Sequence, residues 1–173
     1  ITEGIDGLQA YDDLVVRNTT IHSMTGGGVL LLAGSLAVEN VTMFDCSNGV
    51  VQSTQTSTGA ITCADSYLHD FDYRAISVPF EADSVSIRRT TIERSTDGVF
   101  LAYQSPATID SCVIRRTDIG LIAFYGSNTR ISHCALDSNV TAGYYMVATS
   151  ATMEADTASH GAVGVFFQYN SGG

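Results

Sequence analysis

Apolar and β-branched residues recur along the chain in one pattern: a β-former, two or three polar positions, a small polar residue, and then an aliphatic. It reads Val16-Arg17-Asn18-Thr19-Thr20-Ile21, then Val38-Glu39-Asn40-Val41-Thr42-Met43, then Cys63-Ala64-Asp65-Ser66-Tyr67-Leu68. It returns over 87–92, 109–114, 131–136 and, more weakly, 153–158, so the first positions are spaced by 22, 25, 24, 22, 22 and 22 residues. A second landmark lies eleven residues into most coils, at Gly27, Gly49, Gly98, Gly120 and Gly164, each followed by an apolar run. Such a period is too short for two packed helices. Strand, turn, short strand, glycine turn and strand in ~22 residues make one circuit of a small solenoid. The pattern predicts an all-β parallel solenoid of about seven coils over residues 14–169, with 1–13 as an N-terminal lead-in or cap and 170–173 as a tail.

The strand after each glycine does not alternate cleanly between apolar and polar residues. Taken at the repeat spacing, Val50, Val99 and Leu121 point inward, and Val29, Val51, Phe100, Ile122, Tyr144 and Phe166 form an outward apolar column. A stripe of that kind over several coils predicts a packing partner, here a second copy of the chain, unless residues 1–13 cover it.

The repeat resembles the pectate-lyase-like right-handed parallel β-helix superfamily over residues 14–169. Asn18, Asn40 and Asp65 share one repeat position, like the asparagine ladder that closes a turn in that superfamily, because Asn tolerates a left-handed backbone. Arg89, Ser111 and His133 take the position later. The resemblance implies a single-stranded right-handed β-helix. It covers lyases, hydrolases, epimerases, viral tailspikes and surface adhesins, and tailspike-like members bundle three helices side by side.

Charge narrows the partners. The chain has 18 acidic residues against 8 basic ones, every basic residue is Arg, and the net charge of −10 repels nucleic acid and anionic lipid. No apolar run approaches the ~20 residues that span a bilayer, so membrane insertion is not expected. The start at Ile1 lacks the basic and apolar stretches of a signal peptide, and the chain is expected to come from a longer precursor.

In a parallel β-helix, residues one period apart lie ~4.8 Å apart, so chemistry is read in columns. Glu93, Arg115 and Asp137 make an alternating-charge column, Asp70 abuts Arg94, and Arg88, Arg94, Arg115 and Arg116 could form a strip for an acidic glycan. Asp45 and Asp70 bring like charges together, which invites a divalent cation such as Ca2+ or leaves a solvated pair; no other cofactor is expected. The densest ionisable and aromatic group is His69, Asp70, Asp72, Tyr73 and Arg74, and a glycan site is expected at Asp70, Asp72, Tyr73, Arg74, Arg94 and Arg116. An enzyme acting on a uronic acid would use His69, Tyr73 and Arg74 as base, acid and carboxylate neutraliser. Strand alternation, however, would part Asp70 and Asp72 from His69 and Tyr73. The four cysteines lack metal-site spacing and read as buried thiols, with a Cys112–Cys134 disulfide as the alternative.

These readings favour a structural or attachment module of a viral spike or cell-surface fibre, homotrimeric, at the virion surface or outside the cell, binding a glycan or receptor. Ladders of Tyr103 and Tyr125 with polar Ser, Thr and Asn side chains suit glycan contact. The alternative is a polysaccharide lyase, epimerase or hydrolase.

Overall fold

The computed structural model describes residues 1–53, 58–125 and 128–168. Nineteen strands wind into one continuous parallel sheet, with no helix among those residues. Each coil has three faces. In one coil these are Ala107–Asp110, Val113–Arg115 and Ile119–Phe124, and each pairs in parallel with its counterparts above and below. The right-handed β-helix of about seven coils follows from the repeat: every ~22 residues the same side chain returns to the same place.

Of the corners between the faces, two are left-handed without glycine in every full coil. Asn18, Asn40, Asp65, Arg89, Ser111, His133 and Ala155 have φ between 44° and 56° at the first; Ser23, Asp45, Asp70, Arg94, Arg116, Ser138 and His160 have φ between 51° and 60° at the second. The asparagine position therefore keeps its backbone where the side chain changes. Side chains bond along the column, Asn40 Nδ2 donating to Asn18 Oδ1 at 2.7 Å and Arg89 holding both oxygens of Asp65 at 2.6 Å.

The core is three stacked aliphatic columns, one per face. Val38, Cys63, Ile87, Ile109 and Ile131 line the first, Met43, Leu68, Ile92, Ile114 and Leu136 the second, and Val50, Ile76, Val99 and Leu121 the third, all buried. Full burial of each such side chain is worth ~1.5–3 kcal/mol. All four cysteines are buried and free. The Cys112 and Cys134 thiols each donate to a carbonyl two residues back, at 3.3 Å, and burial pushes the Cys63 thiol up to about 11.

The glycine landmark is a ladder inside the third face rather than a turn. Register places Gly28, Gly49, Ala75, Gly98, Gly120, Gly143 and Gly164 in one column. A Cβ on Gly98 would meet the Gly120 carbonyl oxygen at 2.4 Å, and one on Gly49 the Ala75 oxygen at 2.2 Å. Close backbone approach leaves no room for a Cβ at Gly49 and Gly98, whereas Ala75 fits one in the coil between them.

This ladder corrects the register of the third face. The pairing shifts between Met24 and Gly27, so Val29 lies beside Val50, and one residue more in the next-to-last coil sets Tyr144 beside Leu121. Val29 (0% exposed) and Tyr144 (1%) are core residues, not members of an outward column. The outward column is Leu30, Val51, Ser77, Phe100, Ile122, Tyr145 and Phe166. Residues 1–13 do not cover it: Thr2–Gly4 and Leu8–Ala10 pair with 22–24 and 29–31 as a partial first coil. The longer turn near 52–59 and the tail at 170–173 fall partly or wholly outside the described residues.

Candidate functional site

The second corner carries the ionic chemistry. Asp70 turns left-handed there, so its carboxylate folds back beside the preceding residue, and His69 Nδ1 lies 2.6 Å from Asp70 Oδ2. Strand alternation does not separate this pair, because the corner interrupts it. Arg94, one coil on, grips Asp70 with both ends of its fork, Nε to Oδ1 at 2.5 Å and Nη2 to Oδ2 at 2.9 Å, and reaches Glu93 at 2.7 Å. Arg115 also donates to the buried Glu93, from Nε at 2.8 Å and from Nη2, while Arg116 stands 3.9 Å away. His69 stacks on Phe44, which stacks on His22, with centroids 5.0 and 4.8 Å apart.

A shallow groove of about 690 Å³ runs along this corner and includes Ser23, Asp45, Ser47, Asp70, Asp72 and Arg94. Ser47 donates to Asp72 at 3.1 Å. In the Asp45 and Asp70 pair, both Asp70 oxygens are engaged by Arg94 and one also by His69. Among the described residues, no group of three or more His, Cys, Asp or Glu could hold a metal ion.

Tyr73 and Arg74 belong elsewhere. They open onto a separate hollow of about 370 Å³ with Asn48, Thr96 and Asp97 at the start of the third face. Arg74 Nε donates to Asp97 at 3.0 Å, and its guanidinium carbon lies 3.8 Å from the centre of the Phe100 ring. The set His69, Tyr73 and Arg74 is thus divided between two faces, as is the wider set: Asp70, Asp72 and Arg94 share the groove, and Arg116 lies a coil further. Nor do the arginines form one strip, because Arg88 sits on the first face against Ser86. Within 4.0 Å of a carboxylate stand the other seven of the eight: Arg17, Arg74, Arg89, Arg94, Arg115, Arg116 and Arg130.

The third face is built differently. Its strands open on one ion pair, Arg74 with Asp97; past it, residues 27–32, 48–52, 75–80, 98–104, 119–125, 142–149 and 163–168 include no acidic residue, Arg or His. Phe100, Phe124, Tyr145 and Phe166 follow one another over it with centroids 5.8, 5.9 and 4.7 Å apart. Ile122 is packed among these rings and is only 5% exposed. At the edge, Tyr103 and Tyr125 pair at 5.9 Å, and Phe124 lies 5.8 Å from Tyr125. The repeat spacing places Tyr145 inward, and the column reading does not reach the Asp97 partner of Arg74; counting from the glycine ladder puts Tyr145 outward beside Ile122.

The ionic corners predict acid sensitivity. The Arg94 guanidinium, assisted by His69 against partial burial, holds the Asp70 carboxyl well below the usual range; Ser132 and His133 lower Asp110; Ser159 and His160 hold Asp137 down at about 2. Burial opposes ionisation of Glu93, yet Arg115, with Arg94 and Arg116, lowers it overall. A carboxyl depressed by folding stabilises above its unfolded value of ~4 and loses that contribution as pH falls through the folded value. Thermal melts are expected to hold from pH 7 to 5 and to fall between pH 4 and 2. A melting temperature flat from pH 5 to 2 would contradict these ion pairs.

Residues 51–173 match the family described as right handed beta helix region. No curated protein matches the chain.

Proposed function

Because the chain belongs to the right-handed β-helix family, we propose that it uses the solenoid as a rigid attachment module, packing against copies of itself through the third face and presenting the adjoining surface to a glycan or receptor. Such a module belongs at a virion or cell surface, where a stiff rod repeats a binding group at fixed spacing. One observation carries the reading: groups fit for acid–base chemistry are tied into ion pairs at separate places, while the aromatic rings converge on a face whose strands carry no charge past the Arg74–Asp97 pair at their start. General acid–base catalysis needs its acid and base within reach of one substrate position. His69 and Arg74 have no such common position.

The test is binding without turnover. Incubated with polygalacturonate, alginate and neutral polysaccharides, the protein is expected to co-sediment with at least one while releasing neither unsaturated uronic products nor new reducing ends. Turnover that disappears in His69→Ala or Arg74→Ala would replace the attachment reading with a polysaccharide-cleaving or epimerising enzyme.

A further inference from the structure

The geometry points to a subsite for a neutral glycan at the corner formed by Tyr103 and Tyr125. This rests on the attachment reading and names its ligand class. Tyr103, Tyr125 and Ala148 occupy the same place in three successive coils, each two residues after the aligned Leu101, Ala123 and Met146. Their φ values are 51°, 52° and 49°. A left-handed backbone is uncommon for a bulky residue and costs ~1–2 kcal/mol. Ala148 turns the corner with the same φ, so the turn itself does not require a ring. The backbone is pinned, Gln104 N donating to Tyr125 O at 3.2 Å and Tyr125 N to Val147 O at 3.1 Å.

The two rings are held out rather than packed away, 55% and 52% exposed, with an interplanar angle of 30°. Phe124 backs Tyr125, which limits how far that ring can swing. The two rings stack on one another along the axis, so they offer the free outer face of the stack as an apolar platform, with their exposed edges beside it. The C–H face of a pyranose covers such a platform while its hydroxyls stay in water or meet the exposed Gln104.

Charge selects the class. Residues 98–109, 119–129 and 142–153 contain no Asp, Glu, Arg or His, in a chain with 18 acidic and 8 basic residues. A uronic or sulfated chain would find no cation at this corner, and the net charge of −10 would repel it. A neutral hexosan or pentosan meets no such penalty.

Native gels cast with galactomannan, xyloglucan or dextran, and others cast with polygalacturonate, test this directly. The wild-type chain is expected to be retarded in at least one neutral gel, and the Tyr103→Ala/Tyr125→Ala double variant to lose roughly tenfold or more in affinity. Its melting curve should change little, as Ala148 already shows that alanine fits the turn, and Tyr11→Ala, at an exposed tyrosine elsewhere, should bind like wild type. Neutral-gel retardation that survives the double substitution would remove the corner and leave the attachment reading standing. Retardation confined to polygalacturonate would overturn the neutral class. No retardation in any gel, with no co-sedimentation, would overturn both.

Discussion

Gly98→Val is expected to lower the melting temperature by about 6–12 °C, from a loss of about 3 kcal/mol or more in a chain of this length. The φ of Gly98 lies outside the left-handed region, so conformational freedom is not the reason. Space is. A Cβ there would sit 2.4 Å from the Gly120 carbonyl oxygen and 2.6 Å from Ile114 Cγ2, one a ladder acceptor in the next coil and the other a core side chain. Neither can retreat without opening the stack, because each coil contacts only its neighbours and a displaced strand loses both pairings. Gly27→Ala is the matched control: its nearest atom would be at 3.7 Å, an ordinary contact, and the change in stability should stay below about 1 kcal/mol. Equal melting temperatures for Gly98→Val and wild type would mean that the ladder spacing described here is wrong.

The same ladder shows what the sequence makes legible and what it hides. The solenoid, its period and the inward columns of the first two faces are visible because a buried aliphatic must return once per coil, as Ile87, Ile109 and Ile131 do. The Asp70–Arg94 and Glu93–Arg115 contacts are legible for the same reason, being residues one coil apart. The third face is harder, since both its inward and outward positions are apolar and hydropathy cannot choose between them. One extra or missing residue in a turn then exchanges the faces, which is how Val29 and Tyr144 come to be core residues. Each inward residue there directly follows the ladder position, as in Gly28-Val29, Gly49-Val50, Gly98-Val99, Gly120-Leu121 and Gly143-Tyr144. The rule needs no hydropathy at all. Corner geometry is hidden for a different reason: Arg94 and Arg116 adopt left-handed φ although nothing in their residue type announces it. The coil closes only if every coil turns at the same place, and that requirement overrides local preference.

Light scattering is expected to find more than one 18.3 kDa chain in the solution particle, with three the number that tailspike-like packing implies. Two chains of net charge −10 repel, so they can meet stably only where neither presents charge. The third face comes nearest to that condition, its charge confined to the mutually paired Arg74 and Asp97 at the start of its strands, and its outward rings at Phe100, Phe124, Tyr145 and Phe166 supply apolar area to bury. Salt separates this from ionic association. Molar salt screens the mutual repulsion and leaves apolar burial intact, so the particle should persist or grow, whereas an ion-paired interface would come apart. Phe100→Asp places a carboxylate in the centre of the contact and is expected to give monomers with a nearly unchanged melting curve, as the ring lies outside the core columns. A particle of two chains would still fit, with the face meeting itself across a twofold axis. A monomer at both low and molar salt would remove the third face as an interface, leaving its rings as surface for a ligand that extends beyond the tyrosine corner.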